Sequence, residues 1–327
     1  MILFIARRLL SMIIMLIFIS IAAFVVIQLP PGDFLTTLVA GMEQGSAIDP
    51  AQLDFLREQF GLDQPVWMQY LRWMSGILLH GDFGYSFQWK RPVADLIWEQ
   101  LGFTLLLSVS TLLLAWAISF PIGILSAVKQ YSAADYFFTF VGFIGLAIPN
   151  FLLALVLMYI GFRYFGQSVG GLFSVEYQNE PWSIGKFWDL IAHLWIPMIV
   201  IGTSKTAELI RVMRANLLDE LNKPYVTTAR AKGMKESRLL IKYPIRLALN
   251  PFVSTVGWVL PSLISGAVIA SVVLNLPTAG PLLLNALKAQ DMYLAGSFIL
   301  MLSALTVLGT LISDLLLAWL DPRIRLQ

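Results

Sequence analysis

One basic stretch of the chain carries all the signals of a short capped helix. Asn222 has a side chain that can cap a helix N-terminus, and Pro224 suits the first helical turn. Arg230 and Lys232 fall in the last turn, where positive charge complements the helix dipole. Gly233 supplies the left-handed backbone that ends many helices. The sequence therefore predicts a small, rigid, basic helix between Asn222 and Gly233.

The spacing of the side chains suggests that this helix binds another protein. Four residues share one helical face by their i, i+3, i+4, i+7 spacing: Tyr225, Thr228, Ala229 and Lys232. An aromatic side chain among small ones suits the insertion of a helix into a groove, with Tyr225 as the anchor. Alternatively, the basic residues only reflect the excess of Lys and Arg in cytoplasmic loops of membrane proteins. That alternative explains the charge but not the capping signals, and the residues alone leave both open.

Polar residues inside hydrophobic segments form a second candidate site. Lys205 and Glu208 lie three positions apart in one such segment. Charge within a bilayer is costly and usually faces a bundle interior or a wet cavity, so the pair is a candidate lining of a translocation path. Alternatively, it is an i, i+3 ion pair with Lys205 extending toward water. Trp258, Ser262 and Ser265 either line the same path or allow close helix packing.

The sequence lacks the motifs of several enzyme classes. It contains no cysteine and two histidines, which argues against disulfides, thiol chemistry and a Cys/His zinc site. The segment from Gly202 to Thr206 resembles part of a phosphate-binding loop but lacks the glycine before the lysine. No nucleophile–base pair suited to hydrolysis is visible. We therefore expect no catalytic residue, no cofactor and no metal in this chain, and an energy source outside it.

The composition is that of a membrane protein. Of 327 residues, 58% are hydrophobic and 13% are charged, and the mean hydropathy is +0.76. A net charge of +2 gives no support for a nucleic-acid partner. A spanning helix needs about 20 apolar residues, and about six segments meet this requirement. They lie near Leu9–Leu29, Phe103–Val128, Tyr136–Phe165, His193–Met213, Phe252–Leu274 and Tyr293–Leu320.

Lys and Arg predict the orientation of these segments. One side carries Arg7, Arg8, Lys129, Arg323, Arg325 and the basic residues between Arg211 and Arg246. The basic residues of the other side are diluted among Asp and Glu in longer loops. By the positive-inside rule the first side is cytoplasmic, so both termini are cytoplasmic. The first segment is too long for a typical signal peptide and is predicted to be a retained anchor.

The chain divides into three predicted regions. Residues 1–29 form an N-terminal spanning helix, residues 30–100 an external helical region, and residues 101–327 a core with a cytoplasmic loop at 214–250. Asp49 and Pro50 begin one predicted external helix, and a second runs from Pro65 to about Leu79. In the second helix Trp67, Tyr70 and Trp73 suit a membrane interface, so it is predicted to cover the rim of the bundle rather than contact a substrate.

The segment from Tyr225 to Gly233 resembles the cytoplasmic coupling motif of ATP-binding-cassette importer permeases. Its Thr-Ala-Arg-Ala-Lys-Gly sequence is similar to the dipeptide/oligopeptide/nickel permease family. Further segments resemble the first of that family's two permease types, in the same order along the chain: Arg7–Leu10, Pro31–Asp33, Gly61–Pro65, Gln69–Leu71, Gly81–Ser86, Pro277 with Gly280, Asp314, and Asp321–Arg325. The chain departs from the pattern at Pro224, often Asp; at Tyr243, often His; and at Leu247, often Asn.

The resemblance implies an all-α type I importer permease in the bacterial inner membrane. It implies a second, homologous permease subunit in a heterodimer, two cytoplasmic subunits that use ATP and Mg, and an external solute-binding protein. The residues expected to contact the ATP-binding subunits are Tyr225, Thr228, Ala229, Arg230, Ala231, Lys232 and Gly233. The expected substrates are di- and oligopeptides. The alternatives are an oligosaccharide or other solute on the same machinery, and a stand-alone channel or secondary carrier.

Overall fold

The part of the chain that the structure describes is mostly helical. A computed structural model describes residues 2–28, 64–86, 88–167, 170–250, 252 and 268–320. The helices in these ranges are α1 (Ile2–Gln28), α2 (Val66–Ser75), α3 (Val93–Val128), α4 (Ala133–Ala147), α5 (Asn150–Phe165), α6 (Ile184–Leu221), α7 (Pro224–Ala231), α8 (Glu236–Lys242), α9 (Pro244–Ala248), α10 (Val268–Val273), α11 (Ala279–Lys288) and α12 (Met292–Leu320). A π-helical turn, Gly76–His80, extends α2, and the two short strands are β1 (Tyr85–Ser86) and β2 (Arg91–Pro92).

Within the described ranges, four helices are long and apolar enough to cross a membrane. They are α1, α3, α6 and α12, and the bent pair of α4 and α5 makes a fifth span if the pair is counted as one. The predicted segment Phe252–Leu274 lies mostly outside the described residues. The predicted helix at Asp49 and the basic residues Arg323 and Arg325 also lie outside them. The six-span count and the cytoplasmic termini stay predictions.

The predicted long segment Tyr136–Phe165 is two helices. α4 and α5 are bent by 101° at their junction. Pro149 explains the break, because it has no amide hydrogen and holds the preceding residue out of the helical conformation. Ile148 accordingly has φ −77 and ψ 122. The Ser204 hydroxyl of α6 donates to Asn150 Oδ1 at 3.0 Å, which fastens the start of α5 to α6.

The chain forms two compact units, and residues 1–103 with 278–307 make up the first. Within it, α2 packs on α1 through aromatic rings. The Phe24 ring lies 5.5 Å from Tyr70 and 5.7 Å from Trp73, and the Ser20 and Tyr70 hydroxyls are 2.8 Å apart. Trp73 is therefore buried, whereas Trp67 is exposed, and the predicted place of this helix at a membrane interface stays a prediction. The two tryptophans of α2 thus differ in exposure: Trp73 packs inside the unit and Trp67 lies on its surface.

A buried carboxylate holds the short hairpin in this unit. β1 and β2 pair in antiparallel register, with Tyr85 opposite Pro92 and Ser86 opposite Arg91. The Ser86 hydroxyl donates to Asp291 Oδ2 at 2.6 Å, and both residues are buried. A buried charge needs such hydrogen bonds to offset its desolvation. The hairpin is therefore fixed to the segment that precedes α12.

The second unit, residues 104–277 with 308–327, is organised around α6. Met213 and Leu217 of α6 are fully buried in a cluster with Ala115 of α3 and Phe252. The helices approach closely at Gly123, where an added Cβ would lie 2.6 Å from the Met213 Cβ and 3.1 Å from a backbone oxygen of α6. Small residues at such crossings let membrane helices pack backbone to backbone.

A bidentate ion pair joins the start of α4 to α6. Arg214 donates through Nε to Asp135 Oδ1 at 2.8 Å and through Nη2 to Oδ2 at 2.9 Å. Asp135 also accepts from the Tyr131 amide at 3.0 Å. Ser132 caps α4 by accepting from the Asp135 amide. The Asp135 carboxylate is buried, so these hydrogen bonds offset its desolvation and fix where α4 begins.

The loop before α6 is fastened to the first turns of that helix. The Ser174 hydroxyl and amide donate to the two Asp189 carboxylate oxygens at 2.6 and 2.8 Å. Lys186 is buried and lies 4.9 Å from the Phe173 ring centre and 5.7 Å from that of Trp182. The loop is therefore a folded part of this unit.

We expect Gly123→Ala to destabilise the protein, because either Met213 or the α6 backbone must move to admit the methyl group. The expected loss is about 1–3 kcal/mol, typical of an overpacked site. Gly102→Ala, on the same helix α3, is the matched control, since nothing lies within 4 Å of an added Cβ there. It should be neutral or stabilising by up to about 1 kcal/mol. Thermal unfolding in detergent measures both, and equal unfolding temperatures for the two variants would contradict this packing.

Candidate functional site

The predicted basic helix exists as α7, and its first turn differs from the prediction in one residue. α7 spans Pro224–Ala231, with Pro224 at its first position, as predicted. Lys223 occupies the N-cap position and makes no side-chain capping hydrogen bond. Asn222 is not the cap, because it ends α6 and its side-chain amide donates to the Leu218 carbonyl at 3.0 Å. The chain therefore passes from α6 to α7 in two residues.

The end of α7 is as predicted. Gly233 has φ +74, a conformation that is strained for residues with a Cβ. The Gly233 amide donates to the Arg230 carbonyl at 3.0 Å, and the Met234 amide donates to the Ala229 carbonyl at 3.2 Å. These bonds supply donors to carbonyl groups that would otherwise lack a hydrogen-bond partner at the end of the helix. Gly233 thereby turns the chain sharply toward α8.

The packed face of α7 differs from the predicted docking face. Val226 and Ala229 form a buried cluster with Leu239 of α8. Ala229, predicted to face a partner, is therefore directed toward its own chain. The helical spacing was right, but the residues that cover this face come from α8, and spacing within one helix does not reveal them. The docking role of Ala229 through its side chain is accordingly dropped.

The Tyr225 side chain makes contacts within its own chain. Its hydroxyl donates to Glu220 Oε2 near the end of α6, and its ring centre lies 6.3 Å from that of Tyr243. Burial raises the pKa of the Tyr225 hydroxyl, and the Glu220 carboxylate raises it further, so the hydroxyl stays protonated as a donor. This hydrogen bond to Glu220 was not predicted, because it depends on how α6 and α7 meet and not on a sequence motif.

The opposite face of α7 is open to solvent. Its exposed residues are Pro224, Thr227, Thr228, Arg230, Ala231 and, beyond the helix, Lys232 and Gly233. Arg230 pairs with Glu236 of α8 through an Nη2–Oε1 distance of 2.6 Å. The pKa of Glu236 is lowered by its hydrogen bonds from Arg230. A strip of threonine and alanine, flanked by Lys232, is thus exposed and available to a partner.

The candidate path residues are only partly described. Lys205 Nζ lies 3.0 Å from Glu208 Oε2, which confirms the predicted i, i+3 contact, and both side chains are partly exposed. Ser204, which holds the start of α5, is the neighbour of Lys205. Trp258, Ser262 and Ser265 lie outside the described residues. The charged pair therefore begins one residue along α6 from the Ser204–Asn150 bond at the start of α5.

Comparison with known proteins identifies the family. The family described as binding-protein-dependent transport system inner membrane component matches residues 119–326. The N-terminal membrane component of the same systems matches residues 1–108. The α7 segment lies within the first match.

Curated relatives cover nearly the whole chain. The oligopeptide transport system permease protein AppB of Bacillus subtilis is 39% identical over 322 residues, covering 98% of each chain. The dipeptide transport system permease proteins DppB of Alkalihalophilus pseudofirmus and Escherichia coli K12 are 32% and 30% identical, again covering 98% of each chain. The chain belongs to the family of inner membrane components of binding-protein-dependent transport systems.

Proposed function

We propose that this chain is the permease subunit of an ATP-driven importer and that α7 is its contact with the ATP-binding subunit. The observation that carries the proposal is the construction of α7. Its inner face and Tyr225 are fastened to α6 and α8, while its outer face of small residues stays exposed. Because α7 packs against its own chain on one side and is exposed on the other, it can transmit a displacement from a bound partner to α6.

The remaining parts of the proposal come from the family. The chain pairs with a homologous permease as a heterodimer in the bacterial inner membrane, with two ATP-binding subunits inside and a solute-binding protein outside. Closure of the ATP-binding subunits moves the coupling helices and switches the spans between two arrangements. The relatives named for oligopeptide and dipeptide transport support peptides as the cargo. Other solutes remain the alternative.

The charged pair in α6 belongs to the same proposal as part of the translocation path. Lys205 and Glu208 are partly exposed and pair at 3.0 Å, near the Ser204–Asn150 bond that fixes α5. A displacement of α6 along its axis would move the pair and that bond together. Trp258, Ser262 and Ser265 remain candidates for the same path.

We expect Ala231→Arg to uncouple ATP hydrolysis from uptake. Ala231 is exposed on the outer face of α7, so a long charged side chain there obstructs the partner without disturbing the cluster below. Overpacking costs about 1–3 kcal/mol, and that range corresponds to a loss of uptake of about five- to 150-fold. Uptake and binding-protein-stimulated ATP hydrolysis in proteoliposomes containing the whole transporter measure the effect.

Ser237→Arg is the control for this variant. It adds the same side chain at an exposed position of α8 and should leave both activities near wild type. Wild-type uptake and stimulated hydrolysis in Ala231→Arg would show that the outer face of α7 is not the coupling surface.

Labelling of single cysteines tests the proposed orientation. The chain contains no cysteine, so one introduced thiol is the only target on it. In intact cells with an opened outer membrane, an impermeant maleimide should label Asn179→Cys in the loop before α6 and not Ser237→Cys in α8. Inside-out vesicles should show the reverse pattern. Labelling of Ser237→Cys from the outside would overturn the orientation.

A further inference from the structure

α4 is fastened to α6 near both of its ends. At its start, Arg214 of α6 holds the Asp135 carboxylate through two hydrogen bonds. Directly after its end, Asn150 accepts a hydrogen bond from the Ser204 hydroxyl of α6 at 3.0 Å. Between these bonds the helices approach so closely that a Cβ added to Gly145 would lie 2.9 Å from a side-chain carbon of α6. The two helices therefore run in opposite directions and meet along the length of α4.

Asp135 also holds the turn that connects α3 to α4. Its Oδ2 atom accepts from the Tyr131 amide at 3.0 Å. Tyr131 has φ +61, a backbone conformation that residues with a Cβ rarely adopt. The Asp135 carboxylate is buried, and it joins three parts of the chain: the α3–α4 turn, α4 and α6. Loss of the carboxylate would release the turn and α6 from α4 together.

The Asp135–Arg214 pair restricts motion in a way that the apolar contacts around it do not. Met213 and Leu217 of α6 pack in an apolar cluster, and apolar contacts depend little on direction. A bidentate arginine–carboxylate pair fixes both the distance and the angle between its partners. A shift or rotation of α6 against α4 would break at least one of the two hydrogen bonds and leave a buried charge poorly satisfied. The pair therefore opposes the sliding of α4 on α6.

The pair lies close to the point where α7 joins α6. Glu220, which accepts from the Tyr225 hydroxyl of α7, is about 9 Å beyond Arg214 along the axis of α6 at 1.5 Å per residue. We propose that Asp135 and Arg214 are a positioning pair, which makes α4 and the start of α5 follow α6 when α7 is displaced. This inference rests on the proposed role of α7 as the contact with the ATP-binding subunit. In this role the pair acts through the helices that it joins and not by contact with the substrate.

The number of substrate molecules taken up per ATP hydrolysed tests the proposal, because a loss of folded protein lowers both rates and leaves this ratio unchanged. The ratio is measured with the whole transporter in proteoliposomes. Asp135→Asn should lower it about fivefold or more, the size typical of coupling between two sites, because hydrolysis continues while α4 no longer follows α6. Arg214→Lys should lower it by less, because lysine keeps the charge but not the forked geometry. Glu99→Gln is the matched control: it breaks an exposed ion pair of 2.6 Å in the first unit and should keep the wild-type ratio.

A covalent link in place of the ion pair gives a second test. The chain contains no cysteine, so Asp135→Cys combined with Arg214→Cys places the only two thiols on it. The reduced double variant should have a ratio as low as that of Asp135→Asn. Joining the thiols with a short bis-methanethiosulfonate linker should restore most of the ratio, and cleavage of the linker by a reductant should abolish it again. A role in folding alone predicts no recovery in protein that is already inserted.

The proposal is overturned if Asp135→Asn keeps the wild-type ratio, whether or not both rates fall. If Asp135→Asn is not recovered from the membrane, a wild-type ratio in Arg214→Lys overturns it. A linked double variant whose ratio stays as low as that of the reduced form also overturns it. These results are distinct from a failure of the proposed function. If Ala231→Arg uncouples the transporter and Asp135→Asn does not, α7 is the coupling surface and the pair does not transmit its displacement, whereas wild-type activities in Ala231→Arg contradict the role of α7 itself.

Discussion

The rigid junction between α6 and α7 is the constraint on which the proposed transport mechanism depends. A docking helix transmits force only if it cannot swivel on the helix that it is meant to move. Here two residues separate the helices, the Tyr225 hydroxyl is bonded to Glu220 of α6, and Val226 and Ala229 pack against α8. The contacts lie on the inner side of α7, so a partner can occupy the outer side without competing for them.

α6 extends this constraint through the second unit. It has 38 residues and is therefore about 57 Å long at 1.5 Å per residue. Its first turns are bonded to the preceding loop through Asp189, its middle to α5 through Ser204, and its later turns to α4 through Arg214. A displacement at α7 therefore reaches each of these elements through one helix. Reciprocal coupling between an external and an internal binding event requires an element that both events displace, and α6 is the proposed one.

Local signals in the sequence predicted the ends of α7, and long-range contacts decided its faces. Pro224 and Gly233 act through their own backbone preferences, so their positions were predictable. Asn222 was predicted to begin α7, whereas it ends α6. The polar last turns of α6 gave no sign that this helix continues to Leu221. The burial of Ala229 by Leu239, and of Trp73 by Phe24, depends on residues distant in the sequence. Pro149, by contrast, is a residue in the sequence that indicates the break in the predicted third span.

Photo-crosslinking from the outer face of α7 tests the central claim most directly. A photoactivatable maleimide on Ala231→Cys, in an assembled transporter whose other subunits carry no reactive cysteine, reports which subunit lies against that face. The account predicts an adduct with the ATP-binding subunit and none from the same probe on Asn179→Cys. An assembly that imports substrate and hydrolyses ATP, yet gives no adduct between Ala231→Cys and an ATP-binding subunit, would contradict it.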